Sequence, residues 1–92
     1  MTFLAAWQFY APPDLPQPVK QVQFDKNRNW HLDFGFPARK VAVELNCSAD
    51  QEREKYNLAA AMGWRILHFT SVALEAKPQD CIDLTVKALG LL

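Results

Sequence analysis

The chain is expected to fold as a single α/β (α+β) domain around a mixed four-stranded sheet. Three observations predict this. Residues 30–36 and 41–45 alternate apolar and polar side chains on either side of a short connection, as an antiparallel hairpin does. A segment over 50–62 that starts charged and ends small and apolar stops at Gly63, and an apolar run begins at once after it. That helix-then-strand order suits a crossover connection, which is expected to be right-handed. Finally, 92 residues, half of them apolar, supply one core rather than two.

Taken in order, residues 2–10 fit either a short helix or an extended arm, and residues 1–18 read as an arm with a proline-rich lead-in. Trp7, Phe9 and Tyr10 are expected to cover a hydrophobic end of the sheet; exposed, they would mark a partner or dimer surface. Pro12, Pro13, Pro16 and Pro18 predict an extended segment, because each removes a donor and restrains the preceding residue. Residues 19–25 alternate and predict a strand, and 26–29 a polar turn.

The hairpin has one register that keeps its apolar sets together, with partner numbers summing to 77 about Ala38 and Arg39. Leu32 then faces Leu45, Phe34 faces Val43 and Phe36 faces Val41 on one side. On the other side His31 faces Asn46, Asp33 faces Glu44 and Gly35 faces Ala42. Directly opposed residues bring their Cβ atoms to roughly 4.5–5.5 Å. Two carboxylates that close repel, and a divalent cation between them would remove the cost.

Ser48 and Gln51 have the spacing of a capping box, predicting a helix over 50–62 with Gly63 as its C-terminal cap. Residues 64–70 predict a strand whose apolar content places it inside the sheet. Residues 71–77 accommodate one helical turn, and 79–89 an amphipathic helix with Ile82, Val86 and Leu89 on one stripe. The order is (α)-β-β-β-α-β-α.

Composition excludes several classes. No apolar run approaches the ~20 residues of a membrane helix. The first residues lack the basic start of a secretory signal, so a soluble cytoplasmic chain is expected. Cys47 and Cys81 are too few for a disulfide framework and are expected to be reduced. With His31 and His68 they form a zinc set chemically, but no two have ligand spacing. Ten basic and ten acidic side chains cancel, so any DNA surface must be local. Lys20, Lys26, Arg28, Arg39 and Lys40, at strand ends and turns, are candidates for phosphate contacts or for ordinary edge protection. His31 shares the acid side of the hairpin and can bind phosphate or orient a water.

Four pieces in order carry a resemblance. They are Trp30, His31, Leu32, Asp33, Phe34; then Val41, Ala42, Val43, Glu44, Leu45; then Glu54, Lys55, Tyr56, Asn57, Leu58, Ala59; then Gly63, Trp64, Arg65, Ile66, Leu67, His68, Phe69, Thr70. Over residues 16–90 the chain resembles the restriction-endonuclease-like PD-(D/E)XK superfamily, in particular small phage and bacterial endonucleases akin to the very-short-patch-repair group.

The resemblance implies metal-dependent hydrolysis of a DNA phosphodiester. Asp33 and Glu44 match the acids that hold Mg²⁺ (or Mn²⁺) with the backbone carbonyl of Leu45. Lys55, with Arg53 as substitute, matches the lysine that steadies the attacking water or the phosphate. Three departures stand out: Asn46 in place of a lysine or acid, Gln21 in place of a glutamate, and a short connection over 46–50. They support a second reading, a nuclease-fold protein that no longer cuts and instead binds nucleic acid or inhibits a host or defence protein complex. In a third, a homodimer completes a DNA groove. Without the resemblance, Asp33 and Glu44 read as solvated acids and Lys55 as a surface partner of Glu52.

Overall fold

A computed structural model describes residues 1–46 and 52–90. The elements run α1 (Phe3–Tyr10), β1 (Val19–Gln23), β2 (His31–Phe36), β3 (Val41–Leu45), α2 (Arg53–Ala61), β4 (Arg65–Phe69), α3 (Ser71–Ala76) and α4 (Pro78–Leu89). The expected α+β class and mixed four-stranded sheet are present. The strands lie in chain order, with β1–β2 and β2–β3 antiparallel and β3–β4 parallel. No helix among the described residues is long and apolar enough to cross a membrane.

The start of the chain, which by pattern fits either helix or arm, is a helix. Thr2 caps it by accepting the Ala5 N–H, and Phe3, Ala6 and Trp7 are buried. The Phe3 ring meets Phe34 at 5.0 Å and the Trp7 ring meets Phe36 at 4.9 Å, so α1 is part of the core rather than an arm. Phe9 is the exception to the expected covering role, since it is exposed and rests edge-on against Tyr10. The proline segment is not extended throughout. Leu15 N–H donates to the Pro12 carbonyl in a turn that buries the Leu15 side chain.

Helices pack on both faces of the sheet. On one, α1, α3 and α4 bury Phe36, Val41 and Val43 against Leu74, Ile82, Val86 and Leu89. On the other, α2 brings Ala59 to Ala42, Leu32 and Phe24, with Tyr56, Trp64 and Ile66 beside them. This two-sided cover corrects the placement of residues 64–70. β4 is an edge strand, and its apolar side chains answer to helices above and below it rather than to strands on either side. Apolar content reports which faces are covered, not the position in strand order.

The hairpin pairs as expected, with Phe34↔Val43, Gly35↔Ala42 and Phe36↔Val41. The face assignment of Leu32 is corrected. Phe34 and Phe36 pack on the α1/α4 side, whereas Leu32 packs on the α2 side. Two residues apart in a regular strand share a face, so β2 is irregular at Asp33. The β1–β2 ladder skips the same point, pairing Lys20↔Phe34 and Val22↔Leu32 but not Gln21 with Asp33. Gln21 has a φ of 51°, a left-handed conformation uncommon for its type. The Ser48/Gln51 capping box lies outside the described residues, and α2 begins after Glu52 without a side-chain cap. α4 ends on Gly90 at a φ of 70°.

Gly35 shows why one position in β2 tolerates no side chain. A Cβ there would sit 2.7 Å from Val22 Cγ2 across the β1–β2 pair. Gly35→Ala is expected to destabilise the protein by about 1–3 kcal/mol through overpacking. Urea denaturation should show that loss, and adding Val22→Ala should recover part of it.

Candidate functional site

The break at Asp33 is bridged by side chains. Asp33 N–H donates to Glu44 Oε2 at 3.3 Å, and Leu45 N–H donates to Asp33 Oδ2 at 2.8 Å. Each carboxylate therefore takes a backbone donor of the neighbouring strand, and the two acids brace β2 against β3 just beyond the last paired residues. The hairpin register expects Asp33 beside Glu44, and the structure joins them there.

Glu44 is only 3 % exposed. Burial raises its pKa above the ordinary glutamate value, and the side-chain carboxylate of Asp33 raises it further, while Lys55 opposes both. Lys55 comes from the first turn of α2 and donates to Glu44 Oε1 at 2.9 Å. It also reaches Glu52 Oε2 at 2.9 Å and the His31 carbonyl at 3.1 Å. Burial disfavours the ammonium, but Glu44 and Glu52 outweigh it and raise the Lys55 pKa. Lys55 pairs with Glu52 at the start of its own helix, as the surface reading expects, and also with the strand acid Glu44. With its side chain 11 % exposed, it is not a solvated surface lysine.

Two participants are not evident as site residues from sequence. By pattern Glu52 is only a surface partner of Lys55, yet the Lys55 and Tyr56 hydrogen bonds lower its pKa. Tyr56 O–H donates to Glu52 Oε2 at 2.8 Å. The signal that could have found them is the helical spacing of 52, 55 and 56, which puts the three on one side of α2. A cleft of about 500 Å³ opens beside them, lined by Asn29, Trp30, His31, Glu52, Glu54 and Lys55. His31 lines this cleft, but its contact to Lys55 is through the backbone.

The basic candidates do not converge. Lys26 and Arg28 lie in the turn before β2, whereas Arg39 and Lys40 lie in the turn after it. Six strand residues separate these ends by roughly 17 Å. Arg28 is paired with Asp25 at 3.1 Å and its guanidinium sits 5.3 Å over the Trp30 ring. Lys40 donates to the Met62 carbonyl at the end of α2. Asn46, a departure from the expected lysine or acid, has a structural task. It turns the chain at a φ of 51°, accepts the Ser71 N–H at 2.7 Å and bonds the Ser71 hydroxyl, tying the end of β3 to the start of α3.

Asp33 and Glu44 bring two carboxylates together, oxygen donors of the kind a hard divalent cation takes. Among the described residues no three His, Cys, Asp or Glu side chains are grouped to hold a metal. Mg²⁺ does not require such a cage, because it binds through one or two carboxylates and keeps several waters. Burial is the main cause of the raised Glu44 pKa, and the neighbouring Asp33 carboxylate adds to it although Lys55 is paired with Glu44. Leu45 meets Asp33 through its N–H. Cys47, of the discounted zinc set, lies outside the described residues, and Cys81 is buried in the core.

Compared with protein-family models, curated proteins and solved structures, the chain matches none.

The buried acid has two measurable consequences. A glutamate whose pKa is raised on folding contributes stability that is complete below its unfolded pKa and is lost as pH rises through the folded value. Metal-free stability attributable to Glu44 should therefore fall from about pH 4.3 upward. Glu52, with a lowered pKa, contributes in the opposite sense, losing stability as pH falls through its folded value. Guanidinium denaturation across this range should show a smaller loss of stability with rising pH for Glu44→Gln than for the wild type. Asp33→Asn keeps an oxygen for the Leu45 N–H and places an amide against Glu44. It should raise metal-free stability at pH 7 by about 1 kcal/mol, measured as a higher denaturation midpoint.

Proposed function

We propose that this chain is a minimal restriction-endonuclease-like nuclease domain that hydrolyses DNA phosphodiesters with Mg²⁺ or Mn²⁺. The observation that carries the reading is the Asp33–Glu44 brace with the Lys55 ammonium 2.9 Å from Glu44 Oε1. Two carboxylates from adjacent strands and a lysine from the next helix, beside an open cleft, supply the groups such a reaction needs.

Asp33 and Glu44 hold the metal, with the Leu45 carbonyl as the third protein ligand of the proposed set. A bound divalent ion supplies positive charge for the developing phosphorane and acidifies a water. Lys55 is the donor placed to orient that water or to bind a non-bridging phosphate oxygen. Water adds across the P–O bond, and one product keeps the phosphate while the other leaves as an alcohol. Lys26 and His31, at the end of the sheet nearest the acids, can meet the DNA backbone, and Arg28 there would do so on releasing Asp25. Arg39 and Lys40, at the far end, would meet a duplex about five base pairs further along.

A second reading has a specific observation in its favour. Glu44 lies beneath Lys55, and two further acids, Glu52 and Glu54, line the cleft beside that single lysine. An acid-rich cleft repels a phosphate backbone unless a cation is bound. On that reading the fold is kept as a binding module for a protein or nucleic acid and does not cut.

Incubation with supercoiled, linear and branched DNA in Mg²⁺ and in Mn²⁺ tests the proposal. The expected result is metal-dependent cleavage that falls at least about 100-fold in Asp33→Asn and Glu44→Gln. Metal binding without cleavage of any substrate selects the binding module, and absence of both removes the metal site altogether.

A further inference from the structure

Lys55 has more partners than a latch on Glu44 requires. Its three donors are divided among Glu44 Oε1, Glu52 Oε2 and the His31 carbonyl. The two carboxylates differ sharply in exposure, 4 % for the Glu44 side chain against 43 % for that of Glu52. Glu52 is itself seated by the Tyr56 hydroxyl one turn further along α2. One ammonium therefore bridges a deep carboxylate and a shallow one at the edge of the cleft, and the shallow one is fixed in place.

We propose that Glu52, held by Tyr56, is a positioning residue that keeps Lys55 at the cleft when a divalent cation takes Glu44. The inference rests on Asp33 and Glu44 being a cation site. In the free protein Lys55 serves as the internal counter-cation of Glu44. A metal that binds Glu44 must displace that ammonium. With Glu52 present, the ammonium gives up one carboxylate and retains the other together with the His31 carbonyl. Without Glu52 it would retain the carbonyl alone, and Lys55 would hold Glu44 more tightly. Glu52 thus keeps Lys55 beside the scissile phosphate without blocking the metal.

Calorimetric titration of Mn²⁺ into the full chain tests this in the wild type and three variants: Lys55→Met, Glu52→Gln and the double substitution. Lys55→Met removes the competitor and should tighten Mn²⁺ binding about tenfold. Glu52→Gln removes the alternative seat and should weaken it about threefold, in keeping with partly exposed ion pairs. In the double variant Glu52 has nothing to hold, so its affinity should equal that of Lys55→Met. A double variant about threefold weaker than Lys55→Met would make Glu52 a metal ligand and overturn the proposal. Lys55→Met binding no tighter than the wild type would overturn it as well, while leaving the metal site intact. No Mn²⁺ binding in any of the four proteins would defeat the metal-site reading and the inference with it.

A readout in the unaltered protein covers the case in which Lys55→Met does not fold. Nitrogen-15 NMR of the Lys55 ammonium during Mg²⁺ titration should show its signal move yet stay protected from solvent exchange. Loss of that protection to the level of a surface lysine would overturn the proposal.

Discussion

The buried carboxylate of Glu44 is the constraint around which the rest of this small protein is arranged. Leaving an ionised acid in a protein interior without a partner costs several kcal/mol, and removing the partner of a buried pair costs about 3–5 kcal/mol. Glu44 therefore has to be answered from several directions. The Asp33 N–H reaches it from β2, and the Lys55 ammonium from α2. Meeting the second demand fixes how α2 lies on the sheet, and hence where the cleft opens. The α2 contact is thin in apolar terms, with Ala59 its single fully buried residue. Polar contacts at Glu44 and packing at Ala59 together hold the helix.

The same constraint explains the irregular backbone around the site. An ordinary ladder through Asp33 would pair its N–H with a backbone carbonyl of a neighbouring strand. Here that N–H turns to Glu44, and the Asp33 carboxylate takes the Leu45 N–H. Both neighbouring strands adjust. Gln21 in β1 and Asn46 after β3 adopt left-handed conformations, and Leu32 changes face relative to Phe34. Asparagine is one of the few side chains that accept such a backbone readily. Asn46 also makes a clamp to Ser71, so this departure from a charged residue serves the connection between β3 and α3.

Local charge decides how the site meets its surroundings more than the neutral total does. Arg28 is committed to Asp25 and Trp30, and Lys40 to the carbonyl end of α2. Such commitments brace turns and helix ends, and they leave the cleft with Glu52 and Glu54 facing one lysine. A phosphate backbone meets a favourable field there only when a divalent ion offsets the acids. Recognition of DNA and occupancy by metal are thereby one coupled event in the proposed function.

Period and spacing along the chain are enough to set the hairpin and the helices near its end. Matching apolar sets dictates the register, because a slip by one residue would expose them, and the three paired positions of β2 and β3 obey it. The same register brings Asp33 beside Glu44, where side chains take over from the ladder that ends at Phe34 and Val43. The helices after residue 70 are legible as one turn over 71–77 and an apolar stripe over 79–89, and the structure adds their caps at Thr70 and Gly90. Other features arise only on packing. α1 becomes a core helix because Phe34 and Phe36 are there to receive its rings, and nothing local distinguishes an arm from a helix without them. β4 takes the edge of the sheet, a position hidden from sequence because cover by helices and flanking by strands leave the same apolar pattern. Glu52 and Tyr56 meet Lys55 on one side of α2, and Lys55 carries that contact across to Glu44 on a different element, β3. Periodicity describes one element at a time, whereas a charge shared among three elements exists only once they have packed.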